Sequence, residues 1–374
     1  MEKKIKIAYI AHNRFPTEKA HGVQISAMCS AFAEQGADVS LFVMRYSFWG
    51  KNIEQKIQAV HRISQSVSII SIYTPFIIFF GKIGYYLQIV FFVLRTMMQT
   101  KAWQADVVFT RDEITALIWM FFKKKVVLEV HTQRGSLWWG ILSKKVQVIT
   151  ISEGLRQFFL KKVPQANVKV FHDGVDYEVF ASKLSHAEAR KRVGISDSSP
   201  MIVYTGHLYD WKGVGTLLDA FINSRNPLLR SSVLYMVGGT EHHVDQFKKE
   251  YNHPSIKFVG HVDYSLIPYF IHSAQVAVIP NSARDIIARE YTSPLKLFEY
   301  MAAGISIVAS KVPAIQEVVD EDTVYFMEPD NALSCEQALI DALSSDQQKA
   351  NRAQELAKKY SWSGRAHGIM QLLH

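Results

Sequence analysis

The chain has 374 residues, 48% of them hydrophobic and 20% charged, with a formal net charge of +8. This is a globular composition, not that of a disordered or low-complexity protein, and the length suits two domains of ordinary size. Only two cysteines occur, Cys29 and Cys335, far apart in sequence. Neither a disulfide framework nor a cysteine zinc site is expected, and a reducing cytoplasm is the simplest setting.

Residues 1–4 lead directly into an apolar run over 5–11 that is too short for the core of a secretory leader and reads as a strand. A helical pattern follows over 23–34, then strands over 39–43 and 67–72. Residues 72–98 are rich in Ile, Phe and Tyr, but Pro75, Gly81, Lys82, Gly84, Gln88 and Arg95 interrupt them. A transmembrane helix wants about 20 consecutive apolar residues. We therefore expect one or two helices lying at a membrane interface or packed on the first sheet. Short apolar strands are predicted over 107–110, 126–130, 146–151 and 168–171. Residues 178–199 carry no strand signal, and 194–200 read as a linker.

Alternation then restarts. Strands are predicted over 201–205, 232–237, 256–258, 276–279 and 305–309. Helices are predicted over 215–223, 266–272, 294–303, 334–343 and 346–359. Strands separated by helices imply parallel pairing, hence an α/β chain of two doubly wound domains. The expected division is 1–175, 176–359 and a last helix over 360–374 crossing back to the first domain. The basic clusters at 123–125, 144–145, 161–162 and 190–192 suit an anionic partner. The first follows Trp119-Met-Phe-Phe122, and aromatics beside lysines fit a lipid surface. An anionic membrane is therefore the expected partner, and nucleic acid is not.

In doubly wound sheets, ligands bind just beyond the carboxyl ends of strands. Gly22 sits in the loop after the first strand, ahead of the predicted helix start at Val23; it is either a backbone approach point for a ligand or a plain turn glycine. His131 follows the 126–130 strand. Gly206, His207 and Lys212-Gly213 follow the 201–205 strand, and Gly238 follows the 232–237 strand. Glu241-His-His243 is a poor metal site because adjacent histidines point apart. Asp320-Glu-Asp322 reads as a solvated turn. No metal and no cofactor are expected.

Residues 290–304, Glu-Tyr-Thr-Ser-Pro-Leu-Lys-Leu-Phe-Glu-Tyr-Met-Ala-Ala-Gly, are the most informative stretch. Ser293 suits an N-cap, Pro294 the first helical position and Gly304 a stop. The amides of Leu295 and Lys296 then point at a ready anion site, with Glu299 one turn inside to accept from hydroxyls. Lys296 either adds charge there or pairs with Glu299. A phosphate beside a diol suggests a nucleotide sugar; the plain alternative is an ordinary capped amphipathic helix.

This stretch resembles the donor-binding helix of the retaining glycosyltransferases of family 4, which have the GT-B fold. The resemblance implies two Rossmann-like domains facing across a cleft. It also implies transfer of a sugar from a nucleotide diphosphate donor to an acceptor hydroxyl, with retention, in the synthesis of a lipid-linked or cell-surface glycan. Glu299 matches the second glutamate of the family's pair and would bind the ribose. The first glutamate falls on Tyr291. Lys212 matches a lysine that holds the diphosphate, whereas His207 replaces an arginine. Gly22 keeps the second of two glycines near the diphosphate. His131 matches a histidine beside the donor sugar. His131, Lys212 and Glu299 are thus the expected catalytic set. Gly22, Gly206, His207, Gly238, Tyr291, Ser293, Leu295 and Lys296 complete the expected donor site. Two other readings stay open: a nucleotide-sugar epimerase of the same fold, and a non-catalytic membrane-associated subunit.

Overall fold

Runs of Val, Ile, Leu and Phe with few polar interruptions form strands buried on both faces, as a parallel sheet covered by helices requires. The structure is a computed structural model that describes residues 4–17, 19–46, 52–122, 125–132 and 139–373. Two compact units emerge, one of Met1–His172 with Trp362–His374, the other of Asp173–Ser361. The breaks fall a few residues from the sequence boundaries at 175 and 359.

The first unit carries β1 (Lys6–Ala11), β2 (Asp38–Arg45), β3 (Ser68–Tyr73), β4 (Val107–Thr110), β5 (Lys125–Val130), β6 (Gln147–Thr150) and β7 (Val168–Val170). They form one parallel sheet in the order β3-β2-β1-β4-β5-β6-β7. The second unit carries β8 (Met201–Thr205), β9 (Val233–Val237), β10 (Ile256–Gly260), β11 (Val276–Ile279), β12 (Ser306–Ser310) and β13 (Tyr325–Met327). Their order is β10-β9-β8-β11-β12-β13, again parallel. Strand order reverses at β1/β4 and at β8/β11, the places where such sheets open a crevice at their carboxyl edge. Alternate residues of β8 enter opposite cores: Met201 and Val203 join Phe298 and Met301 on one side, while Ile202 and Tyr204 join Leu217 and Leu339 on the other.

Two expectations need correction. The first helix is Ala20–Glu34 and not 23–34, so Gly22 lies within its first turn. The segment before the 295–303 helix, read as loop, holds a π-turn over Ile287–Tyr291.

Residues 72–98 resolve into a 3₁₀ turn, Ile78–Phe80, and a helix, Gly81–Met97. One face of the helix, with Gly84, Gln88, Ile89, Phe92, Val93 and Thr96, is buried on the first sheet. Gln88 donates to Tyr46 Oη at 2.8 Å. The other face leaves Phe79, Phe80, Ile83, Leu87 and Leu94 more than half exposed. Ile78–Met97 is long and apolar enough to cross a membrane. Its docked face and buried glutamine instead describe a helix lying against the unit. Lys123 and Lys124 of the first basic cluster lie outside the described residues.

Candidate active site

The helix Leu295–Ala303 is fastened to the end of β8: Tyr300 Oη accepts from the Thr205 N–H at 2.9 Å and also meets Thr205 Oγ1 at 2.9 Å. Its start differs by one residue from the expected cap. Pro294 occupies the cap position in an extended conformation, and Ser293 does not cap the helix. Ser293 Oγ instead accepts from the buried Asp173 N–H at 2.9 Å. A buried amide needs an acceptor, and that long-range need wins over the local cap. The first bond across the cap runs from Leu297 N–H to Pro294 O at 2.9 Å. The amides of Leu295 and Lys296, in the first turn, have no intrahelical acceptor.

Glu299 lies one turn in and is 5% exposed. Tyr264 Oη donates to its Oε1 at 2.6 Å. Burial raises this carboxyl to about 7, opposed by the Tyr264 bond and by the charge of Lys296. Lys296 does not form an ion pair with Glu299. Its Nζ lies 3.7 Å from the Tyr204 ring centroid and has no hydrogen-bond partner. A Cβ built on Gly206 would stand 3.1 Å from that amine, which places Lys296 directly over the β8 end. Burial, then the neighbouring charge of Lys212, holds the Lys296 amine well below its ordinary value.

Lys212 closes a 3₁₀ turn, Asp210–Lys212, and its Nζ lies 3.8 Å from the Trp211 ring centroid. Burial lowers this amine to about 7. Gly213 follows with φ of +66°, and a Cβ there would lie 1.8 Å from Pro280 O. Only glycine lets the β8 and β11 loops close on each other at that point. The same holds at Gly238, where φ is +114° and a Cβ would lie 2.4 Å from Gly206 O.

His207 is half-buried and stacks on Tyr209 at 5.0 Å, and Tyr209 stacks in turn on Trp211 at 6.1 Å. Tyr291 ends the π-turn and is buried at 6% exposure. Its neighbour Glu290 receives the Arg289 guanidinium at 2.9 Å.

In the first unit, His131 follows β5, and its Nε2 stands 3.0 Å from Glu129 Oε1. Burial and the charge of Arg111 lower His131 to about 4, so the imidazole is neutral at physiological pH. Gly22 has a packing reason of its own: a Cβ would meet Thr17 Cγ2 at 2.6 Å and His61 Cε1 at 2.7 Å. Its neighbour His21 shares Arg111 as a charged neighbour with His131. Among the described residues, no group of three His, Cys, Asp or Glu could hold a metal.

The structure thus gathers Gly206, Lys212, Leu295, Lys296 and Glu299 at one edge of the second sheet, with Gly238 and His207 in the adjoining loops. Ser293 is turned away to Asp173. Three residues missed in sequence join the site. Tyr264 and Tyr300 act through partners far along the chain. Asn281, fully buried with neither Oδ1 nor Nδ2 partnered, lies two residues past β11. The strand-end rule that picked Lys212 also reaches Asn281.

A family model described as Glycosyltransferase Family 4 matches residues 21–179, and one described as Glycosyl transferases group 1 matches residues 199–345. The chain belongs to this glycosyltransferase family. It is 26% identical over 230 residues to an uncharacterized glycosyltransferase of Methanocaldococcus jannaschii, covering 58% of this chain and 56% of that protein. It is also 26% identical over 232 residues to the lipopolysaccharide 1,2-N-acetylglucosaminetransferase of Salmonella typhimurium, covering 58% of each. The matched segment therefore spans little more than half the length of these relatives. The structure of Anabaena HepE in complex with UDP and glucose superposes with a TM-score of 0.72 over 99% of both chains at 15% identity. The fold is GT-B, with two Rossmann-like units.

Proposed function

We propose that this glycosyltransferase moves a sugar from a nucleoside diphosphate donor held by the second unit to an acceptor hydroxyl, with retention of configuration. One observation carries the reading. Two amines, Lys212 and Lys296, lie beside the open amides of a helix N-terminus, and neither is paired with a carboxylate among the described residues. Desolvated cations without a counter-charge are costly unless an anion joins them, and a diphosphate supplies one. Glu299 accepts from the ribose hydroxyls. As the bond from the sugar to the diphosphate oxygen breaks, negative charge grows where these donors already point. The acceptor oxygen attacks the anomeric carbon from the same face, and its proton passes to the departing phosphate.

Tyr291, where a carboxylate is usual in the family, favours a donor sugar with a changed hydroxyl pattern, such as an amino or deoxy sugar. The acceptor is a glycan or lipid-linked sugar at a membrane. Supporting this are the exposed Phe79, Phe80, Ile83 and Leu87, and a stretch over 55–105 that holds Lys56, Arg62, Lys82, Arg95 and Lys101 but no acidic residue. The protein then works from the cytoplasmic face as a peripheral enzyme.

The test is a thermal-shift screen of nucleotide sugars that includes N-acetylhexosamine and deoxysugar donors, since a ligand of the folded state raises the midpoint by mass action. A selective donor that is also consumed in the presence of acceptor is expected. No shift with any nucleoside diphosphate or nucleotide sugar at millimolar concentration would sink the proposal.

A further inference from the structure

Lys212 and Lys296 share one arrangement: each amine rests on the face of an aromatic ring. Lys212 Nζ lies 3.8 Å from the Trp211 ring centroid, and Lys296 Nζ lies 3.7 Å from that of Tyr204. Among the described residues neither lysine forms an ion pair, and Lys296 Nζ has no hydrogen-bond partner. The rings themselves are fixed. Tyr204 is fully buried in β8 beside Leu217 and Leu339, and its Oη donates to His207 O at 2.6 Å. The Trp211 ring stacks on Tyr209 at 6.1 Å and 16°. Its carbonyl accepts from the Ser282 N–H at 3.2 Å, which ties the turn to the loop after β11.

A ring face carries only the partial negative charge of its π system, yet it attracts an ammonium strongly where water is excluded. A carboxylate in the same place would hold the amine too, but it would cancel the charge and repel an incoming anion. An ammonium has three N–H donors. Seated on a ring, it keeps donors for phosphate oxygens on the side away from that ring. A lysine without such a seat spreads over many rotamers, and ordering it on binding costs entropy.

We propose that Trp211 and Tyr204 are positioning residues that hold the amines of Lys212 and Lys296 by cation–π contact, so that the second unit presents two ordered, uncancelled positive charges to a diphosphate. This rests on the reading that these lysines take the diphosphate of a donor. It makes the electron density of two ring faces a determinant of affinity for that group.

The experiment uses the full chain, with Trp211 replaced by amber suppression with mono-, di- and trifluorotryptophan. Each fluorine withdraws electron density from the ring face and nearly keeps the ring's shape. Calorimetric affinity for a nucleoside diphosphate should fall stepwise along the series, by about 3- to 30-fold in total. In a Lys212→Met background the same series should stay flat within about twofold. Tyr204→Phe, which keeps a ring face, and its fluorinated phenylalanine analogues repeat the comparison for Lys296, with Lys296→Met as the background. A flat series in the unaltered background overturns the proposal, as does one that rises because the ring competes with the phosphate. A series that falls equally in the Met backgrounds marks packing alone and overturns it too. These replacements leave no cavity, so the outcome does not depend on a truncated ring that might fail to fold. If the unaltered chain binds no nucleoside diphosphate at millimolar concentration, the donor reading falls and this inference with it. Binding by the unaltered chain with a flat series overturns only the positioning.

Discussion

Replacing Lys212 by Met should make the second unit more stable while weakening its hold on a nucleoside diphosphate. Burial takes the amine from 10.5 to about 7, and a drop of that size corresponds to a ceiling near 5 kcal/mol at neutral pH. Residual solvent at this half-buried side chain and the face of Trp211, 3.8 Å away, return part of that. A gain of about 1–3 kcal/mol remains, or a rise of roughly 2–10 °C in midpoint for a unit of this size. The sign with pH follows from the depressed value. The wild type carries the penalty in full below about 7 and loses it as pH rises toward 10.5, where the amine is neutral whether folded or not. The advantage of the variant should therefore be largest at pH 6–7 and fade toward pH 10. In calorimetric titrations the variant should bind a nucleoside diphosphate about 10- to 150-fold more weakly, the worth of one charge-assisted contact. Thermal unfolding at both pH values, with and without the nucleotide, reads both effects. A midpoint that is unchanged or lower at pH 6–7, with unaltered nucleotide affinity, would show that Lys212 is an ordinary surface lysine.

Glu299→Ala should fold and yet lose about tenfold or more in affinity for a nucleoside diphosphate; a 2′,3′-dideoxy analogue should lose little, and equal losses for both would remove the ribose role. Glu299 must be ionised to accept from both hydroxyls, so affinity should rise as pH increases through about 7. Tyr264→Phe deletes the bond that favours the ionised form, so this limb should move to higher pH; a stationary limb in the affinity–pH profile refutes the link. Gly213→Ala places a Cβ 1.8 Å from Pro280 O at positive φ and should cost at least about 2 kcal/mol in denaturant melts, a value near zero being the contrary result. Joint replacement of Phe79 and Ile83 by Ser should reduce sedimentation with anionic vesicles at least about tenfold without altering the melting midpoint. Unchanged sedimentation would assign that face another role.

What could be read from the sequence divides by the range of the forces involved. The alternation over 201–205 shows β8 at once, because its apolar residues must serve cores on both faces. Lys212, Glu299 and the helix amides were legible because strand ends and helix starts are local signals. The start of the first helix was not, since Lys19 makes no side-chain cap and Gly22 was placed in the loop before the helix, although its glycine character answers to Thr17 and His61. Strand β13 has only three residues, too few for a period to show. Ser293 has every local mark of an N-cap and was claimed instead by Asp173, 120 residues away. Tyr264 and Tyr300 likewise act through partners that no window of sequence contains.

Some buried polar groups of the second unit are left unsatisfied by the fold itself. Lys296 Nζ, both polar atoms of Asn281 and Ser310 Oγ are buried without partners. Asn281 lies just past β11, Ser310 ends β12, and Lys296 sits over the end of β8, so all three gather at the carboxyl edge of three adjacent strands. A fold selected for stability alone would fill such positions with apolar residues, because each lone buried polar group costs about 1–3 kcal/mol. Their concentration at one sheet edge, beside a helix start that offers free amides, is what a site completed by a polar, anionic ligand requires.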